Sequence, residues 1–240
     1  LLILTLNHFV VDGVSWRILF DDLKALTNDI TIPLPERTMP LVAWANLLAQ
    51  SGRLGNRRGE ESLWLSQFTN ISPLPQDLTI NDNDNKSKHV KTISGRLSTT
   101  QTEAIFRAQS TYQNEINELL LAALGLSFRK WSTDQFQQQT SDFVISLEGH
   151  GRETDVDLTR TVGWLTSMFP VKLEVRDLDP TDLNSAGIAL RRIKDRLRAL
   201  PDKGLGYGIL RHLDPHSQLS QCPPVTPQVV FNYLGKLEKN

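Results

Sequence analysis

In the stretch LNHFVVDGVSWRIL, residues 6–19, His8 stands four positions before Asp12-Gly13 and just after an apolar run. An imidazole titrates near ~6.5, so a histidine held at a strand end and facing a cleft is suited to take or give a proton near neutral pH. Asp12 can pair with an arginine or cap the helix that follows, and Gly13 suits a backbone turn that a Cβ would hinder. The plainer reading of these residues is a structural histidine beside a helix-capping aspartate. His-x3-Asp alone supplies too few ligands for a metal site.

A second cluster is EGHGRE, Glu148–Glu153, at the end of an apolar alternation. Glu148 at the mouth of a strand can reach into a cleft, and the glycines on either side of His150 let the chain bend sharply there. Taken alone, the hexapeptide reads equally as a charged turn, and His150 reads as structural. FNYLG, Phe231–Gly235, places Asn232 and Tyr233 on opposite faces of one strand, each with a hydrogen-bonding group to offer. RTVGWLTSMFPV, Arg160–Val171, reads either as core leading into a strand or as a wall between two lobes.

The elements that must hold these residues follow from periodicity. Leu1–Leu6 reads as a strand, and Ser15–Leu26 as a helix with Trp16, Leu19, Leu23 and Leu26 on one face. Pro40 opens a second helix as a first-turn proline, and Glu60–Phe68 forms a third. LPQDLTINDNDNKSKH is poor in apolar residues and rich in turn formers, which marks a linker near residues 75–88. HVKTISGRL reads as a strand, Thr100-x-x-Glu103 as a capping box, and Asn114–Trp131 as a long helix. Phe143–Leu147, Phe169–Val175 and Val229–Tyr233 alternate as strands. Leu183–Leu200 reads as an amphipathic helix with Ile188, Ile193 and Leu197 inward. GLGYGIL lacks the spacing and preceding strand of a dinucleotide site. The sum is a mixed α/β (α+β) chain in two parts, 1–80 and 81–240.

The 240 residues carry a net charge of −1, with 39% hydrophobic and 22% charged residues, which speaks against a general nucleic-acid or anionic-membrane binder. The one cysteine, Cys222, excludes an internal disulfide framework and suits a reducing, cytoplasmic setting. The apolar runs are too short for a membrane-spanning helix. Both ends have the pattern of buried strands and not of exposed boundaries, so the reading is of a piece truncated at both ends.

Six strings occur in order across residues 6–235: NHFVVDGVSWRIL, INELLLAAL, EGHGRE, RTVGWLTSMFPV, GLGYGILRHL and FNYLG. Together they resemble the epimerization domains of nonribosomal peptide synthetases. Those belong to the condensation-domain superfamily, with its two-lobed chloramphenicol-acetyltransferase-like fold. On that resemblance, residues 1–80 are the end of the N-terminal lobe, carrying the His-x3-Asp-Gly loop. Residues 81–240 are most of the C-terminal lobe, carrying EGHGRE and FNYLG.

The resemblance implies an isomerase acting on an aminoacyl or peptidyl thioester, which hangs on the 4'-phosphopantetheine arm of an upstream peptidyl carrier protein. A downstream condensation domain takes the D product. No metal or cofactor of the domain's own is implied. His8 and Glu148 are the implied acid/base pair, supported by Asp12, Gly13, Arg152, Asn232 and Tyr233, with Arg152 expected to orient Glu148. The family usually has histidine where this chain has Asn7, which can serve instead as a structural hydrogen-bonding group. The rival readings are a peptide-bond-forming condensation domain, which shares the His-x3-Asp-Gly core, and an inactive carrier-docking remnant. Val14-Ser15-Trp16-Arg17 after Asp-Gly favours the epimerization form. The 240-residue piece alone is expected to be poorly stable and inactive.

Overall fold

Asp12 starts the first helix. Its side chain accepts the Ser15 amide at 2.8 Å, satisfying an N–H that has no partner inside the helix, and α1 runs Gly13–Asn28. In this computed structural model, residues 2–76, 86–136, 142–221 and 226–235 are described. Most of the expected linker, and Cys222, lie outside them.

The helices α2 (Leu41–Leu54) and α3 (Glu61–Ser66) follow, then α4 (Thr99–Tyr112) and α5 (Ile116–Phe136). Strand β1 is Phe143–Gly149 and β2 is Ser167–Leu173. The helices α6 (Leu183–Arg198), α7 (Leu205–His212) and α8 (Gln218–Gln221) precede β3, Val230–Phe231. The sheet order is β2-β1-β3, with β1 and β3 parallel. The chain divides into two compact units. One comprises Leu1–Thr69, Val144–Val171 and Arg198–Asn240, and the other Asn70–Phe143 and Lys172–Leu197.

In the first unit, Trp44 of α2 packs with Leu158 and Leu165, and Met39, Leu41, Leu48, Val156 and Leu205 close around them. Trp64 of α3 is fully buried against Phe169 and Tyr207, and its indole N–H reaches Glu60 Oε2 at 3.0 Å. The glycine-rich start of α7 belongs to this packing: a Cβ on Gly204 would lie 2.1 Å from the Phe169 ring. In the second unit, Phe128 of α5 meets Phe143 edge-on, and Gly125 lets the same helix approach Leu173 and Val175. Lys172 and Arg176 flank the buried Asp142 carboxylate.

Several expected elements differ. Residues 2–7 form no strand, and Leu2, Ile3, Leu4 and Leu6 are exposed. A strand needs a hydrogen-bonded neighbour, and no described segment pairs with this one. His8–Val10 instead forms a 3₁₀ turn capped by Asn7. HVKTISGRL is likewise no strand, with Val90, Ile93 and Leu97 exposed. The capping box is Ser98 with Gln101, two residues earlier than Thr100-x-x-Glu103, because Ser98 stands just outside the helix where its hydroxyl can accept the Gln101 amide. Pro40 is the residue before α2 and not its first-turn residue. On α6 the buried stripe is Ser185, Ala189 and Ile193, spaced four apart, which turns Ile188 outward. Only Val230–Phe231 of the last alternation pairs as a strand.

Candidate functional site

The site residues named below all lie in the first unit. Its centre is a buried ion pair. Arg152 Nη1 donates to Asp12 Oδ2 at 2.7 Å and Nη2 to Oδ1 at 3.0 Å, with the two residues 9% and 4% exposed. Such a bidentate contact is the strong geometry for a guanidinium and a carboxylate. Asp12 thus both caps α1 and pairs with arginine.

Ser15, buried on the first turn of α1, ties a third segment in. Its hydroxyl lies 2.7 Å from Asp12 Oδ1 and 3.0 Å from the Gly163 carbonyl, and accepts the Gly163 amide at 3.0 Å. The Leu165 amide donates to Asp12 Oδ2 at 3.2 Å, and the Thr161 carbonyl accepts Arg152 Nη2 at 3.0 Å. Burial by itself would push the Asp12 carboxyl up, but the hydrogen bonds from Arg152 and Ser15 outweigh it and hold the group below its ordinary value.

EGHGRE reaches this network through a reversal at Gly151. Its φ is +66°, and a Cβ there would fall 1.7 Å from the Leu165 carbonyl oxygen, so only glycine fits. His150 is exposed. It supports the turn by accepting the Arg152 amide on Nδ1 at 3.2 Å, and its carbonyl accepts Arg152 Nη1. Gly13 departs from the expectation of a tight turn: its φ is not positive and nothing lies within 4 Å of a Cβ built there. The backbone at Gly13 does not itself require glycine.

Glu148 is positioned by strand register. Ser146 pairs with Val230 and Leu147 with Phe231, so Glu148 comes level with Asn232. Side chains alternate across a sheet, and Leu147 and Phe231 point the other way, which leaves Glu148 and Asn232 on one face. The Asn232 Nδ2 donates to Glu148 Oε2. Arg152, expected to orient Glu148, spends its described hydrogen bonds on Asp12, Ser15, Thr161 and His150. Tyr233 is half-buried.

His8 is exposed and packs on Trp164, with ring centroids 4.7 Å apart. Phe9 meets the same indole at 5.6 Å. Asn7 Oδ1 accepts the Phe9 amide at 2.9 Å, so the side chain at this position shapes the turn that bears His8. The residues missed from sequence are Ser15, Thr161 and Trp164. Asp12 followed three positions on by Ser15 was a usable signal for the first, since that spacing brings a helix-capping carboxylate to the amide of the third helical residue. Among the described residues, no group of three His, Cys, Asp or Glu side chains is placed to hold a metal, and no helix is long and apolar enough to cross a membrane.

The comparisons with known proteins give the family and the fold. The Condensation domain family model matches residues 1–240. Tyrocidine synthase 1 of Brevibacillus parabrevis is 39% identical over 250 residues, covering 99% of this chain and 22% of that protein. Tyrocidine synthase 2 of the same organism is 37% identical over 253 residues, which is 100% of this chain and 7% of the relative. The chain therefore spans a small part of these relatives. Among solved structures, the epimerization domain from the third module of tyrocidine synthetase B is 37% identical with a TM-score of 0.76, over 95% of this chain and 50% of that one. The condensation domain of the polyketide synthase MokA is 17% identical with a TM-score of 0.61, over 93% and 48%, a likeness of fold alone. The mixed helix-and-sheet architecture is thus the chloramphenicol-acetyltransferase-like fold, and the chain belongs to the condensation-domain family of nonribosomal peptide synthetases.

Proposed function

We propose that the domain epimerizes the α-carbon of an aminoacyl or peptidyl group held as a thioester on the phosphopantetheine arm of a carrier protein. The observation that carries this reading is the Glu148–Asn232 pair at the end of β1. Inversion needs a proton acceptor on one face of the α-carbon and a donor on the other, each within hydrogen-bond reach. Asn232 grips Oε2 of Glu148, leaving Oε1 to take or return the proton, and His8 serves the opposite face. The thioester acidifies the α-proton, and donors near its oxygen would stabilise the enolate. Asp12 and Arg152 move no proton in this scheme and hold the frame. The likeness to a solved epimerization domain at 37% identity supports the reading.

The partners follow from this proposal: a peptidyl carrier protein upstream and a condensation domain downstream, in the cytoplasm. Residues 1–80 then belong to the N-terminal lobe and 81–240 to the C-terminal lobe. The matched family model is named for condensation, which keeps peptide-bond formation as the second reading.

The test uses the protein carrying this chain, with its carrier loaded with an L-aminoacyl group in heavy water. α-Deuterium incorporation with a changing D/L ratio is expected, and is abolished or sharply slowed in His8→Ala and Glu148→Gln. Peptide-bond formation without exchange would establish condensation instead. Carrier binding with neither reaction would leave a docking remnant.

A further inference from the structure

Two features of the first unit are separate by sequence and joined by one residue. The buried Asp12–Ser15–Arg152 network anchors the backbone on both sides of Trp164. The Gly163 amide donates to the Ser15 hydroxyl, and the Leu165 amide donates to Asp12. Further fit comes from Leu41, whose methyl groups would lie 2.7 Å from a Cβ on Gly163. Trp164 itself is 44% exposed, so core packing does not account for its size. What the indole does touch is the 3₁₀ turn, meeting both the His8 imidazole and the Phe9 ring.

We infer that Trp164 is a positioning residue for His8, fixing the imidazole through ring packing and carrying to it the rigidity of the Asp12–Arg152 network. The inference rests on the proposed use of His8 in proton transfer. An exposed histidine on a three-residue turn has several open rotamers, and a proton-transfer group must hold a narrow range of distance and angle. Among the described residues, the cap on the His8 turn is local, from Asn7 to the Phe9 amide. Trp164 supplies a long-range restraint from a segment that is itself pinned at both neighbouring residues. A phenylalanine keeps a planar face at this position and an alanine removes it.

Trp164→Ala and Trp164→Phe separate this role from a merely structural one. The first readout is NMR of the His8 ring in the intact domain. The imidazole proton resonances should shift and lose their single rotamer in Trp164→Ala, and stay close to wild type in Trp164→Phe. The second readout is turnover of the carrier-bound thioester. A loss of about 10- to 100-fold in kcat with KM changed less than about threefold is expected for Ala, and rescue to within about threefold for Phe. Unmoved His8 resonances in Trp164→Ala overturn the inference, as does an unchanged kcat or a loss confined to KM. If wild type itself shows no turnover, the proposed function fails while the NMR still decides whether Trp164 holds His8.

Discussion

Arg152→Met is the sharpest perturbation of this structure. The guanidinium is nearly buried, bonds both oxygens of the buried Asp12, and also reaches Ser15 and the Thr161 carbonyl. Removing it leaves the Asp12 carboxylate buried with Ser15 and Leu165 as its donors. Breaking one partner out of a buried ion pair costs about 3–5 kcal/mol, mostly the penalty of the stranded charge. In a domain of this size each kcal/mol moves the melting temperature by about 2–4 °C, so the loss should read as roughly 6–20 °C in differential scanning calorimetry. Asp12→Asn/Arg152→Met removes both charges and keeps an N-cap. It should be more stable than the sum of the single changes requires, by about 2 kcal/mol or more. A single Arg152→Met that melts within about 2 °C of wild type, or a double variant whose cost is simply additive, would refute the reasoning.

Gly151→Ala forces a Cβ onto the Leu165 carbonyl at positive φ and should cost about 2–5 kcal/mol in urea unfolding, while Gly13→Ala should stay within about 0.5 kcal/mol of wild type. Asp12 has a folded-state pKa below its unfolded one, so its stabilisation is complete above the unfolded value near ~3.9 and is lost as pH falls through the depressed folded value. Acid unfolding should therefore show a steeper loss below about pH 4 for wild type than for Asp12→Asn. Asn232→Ala frees the Glu148 carboxylate to turn and should lower the rate of α-proton exchange by about tenfold or more, with the melting temperature little changed because the pair is largely at the surface.

The parts of this site legible in the sequence are those whose signal is local. Asp12 before a helix, and Glu148 ending an alternation, are both visible in a dozen residues, and the structure puts them where that spacing suggests. The α1 helix is legible from its periodicity, but its most buried positions are not. Apolar periodicity puts Trp16, Leu19, Leu23 and Leu26 on one face, where they are half-buried, while the buried residues of the helix are Ser15 and Ile18. Hydrophobic spacing cannot foresee a helix that buries polar side chains because a remote arginine satisfies them. Strand character failed at residues 2–7 and 89–97 for the same kind of reason. Local composition states a preference for extension, and only a neighbouring strand converts it into a ladder. Trp164 sits in a recognisable string, but nothing within RTVGWLTSMFPV indicates that the indole meets a histidine more than 150 positions away.

The Asp12–Arg152 pair also sets a rule for building chimeras. Asp12 and Ser15 lie before the polar stretch near residues 75–88, whereas Arg152, Thr161, Gly163 and Leu165 lie after it. A crossover at that stretch between two relatives therefore exchanges half of a matched electrostatic lock. Donor and recipient can be spliced there when both carry the aspartate, the serine and the arginine. A graft of EGHGRE alone imports a key without its keyhole.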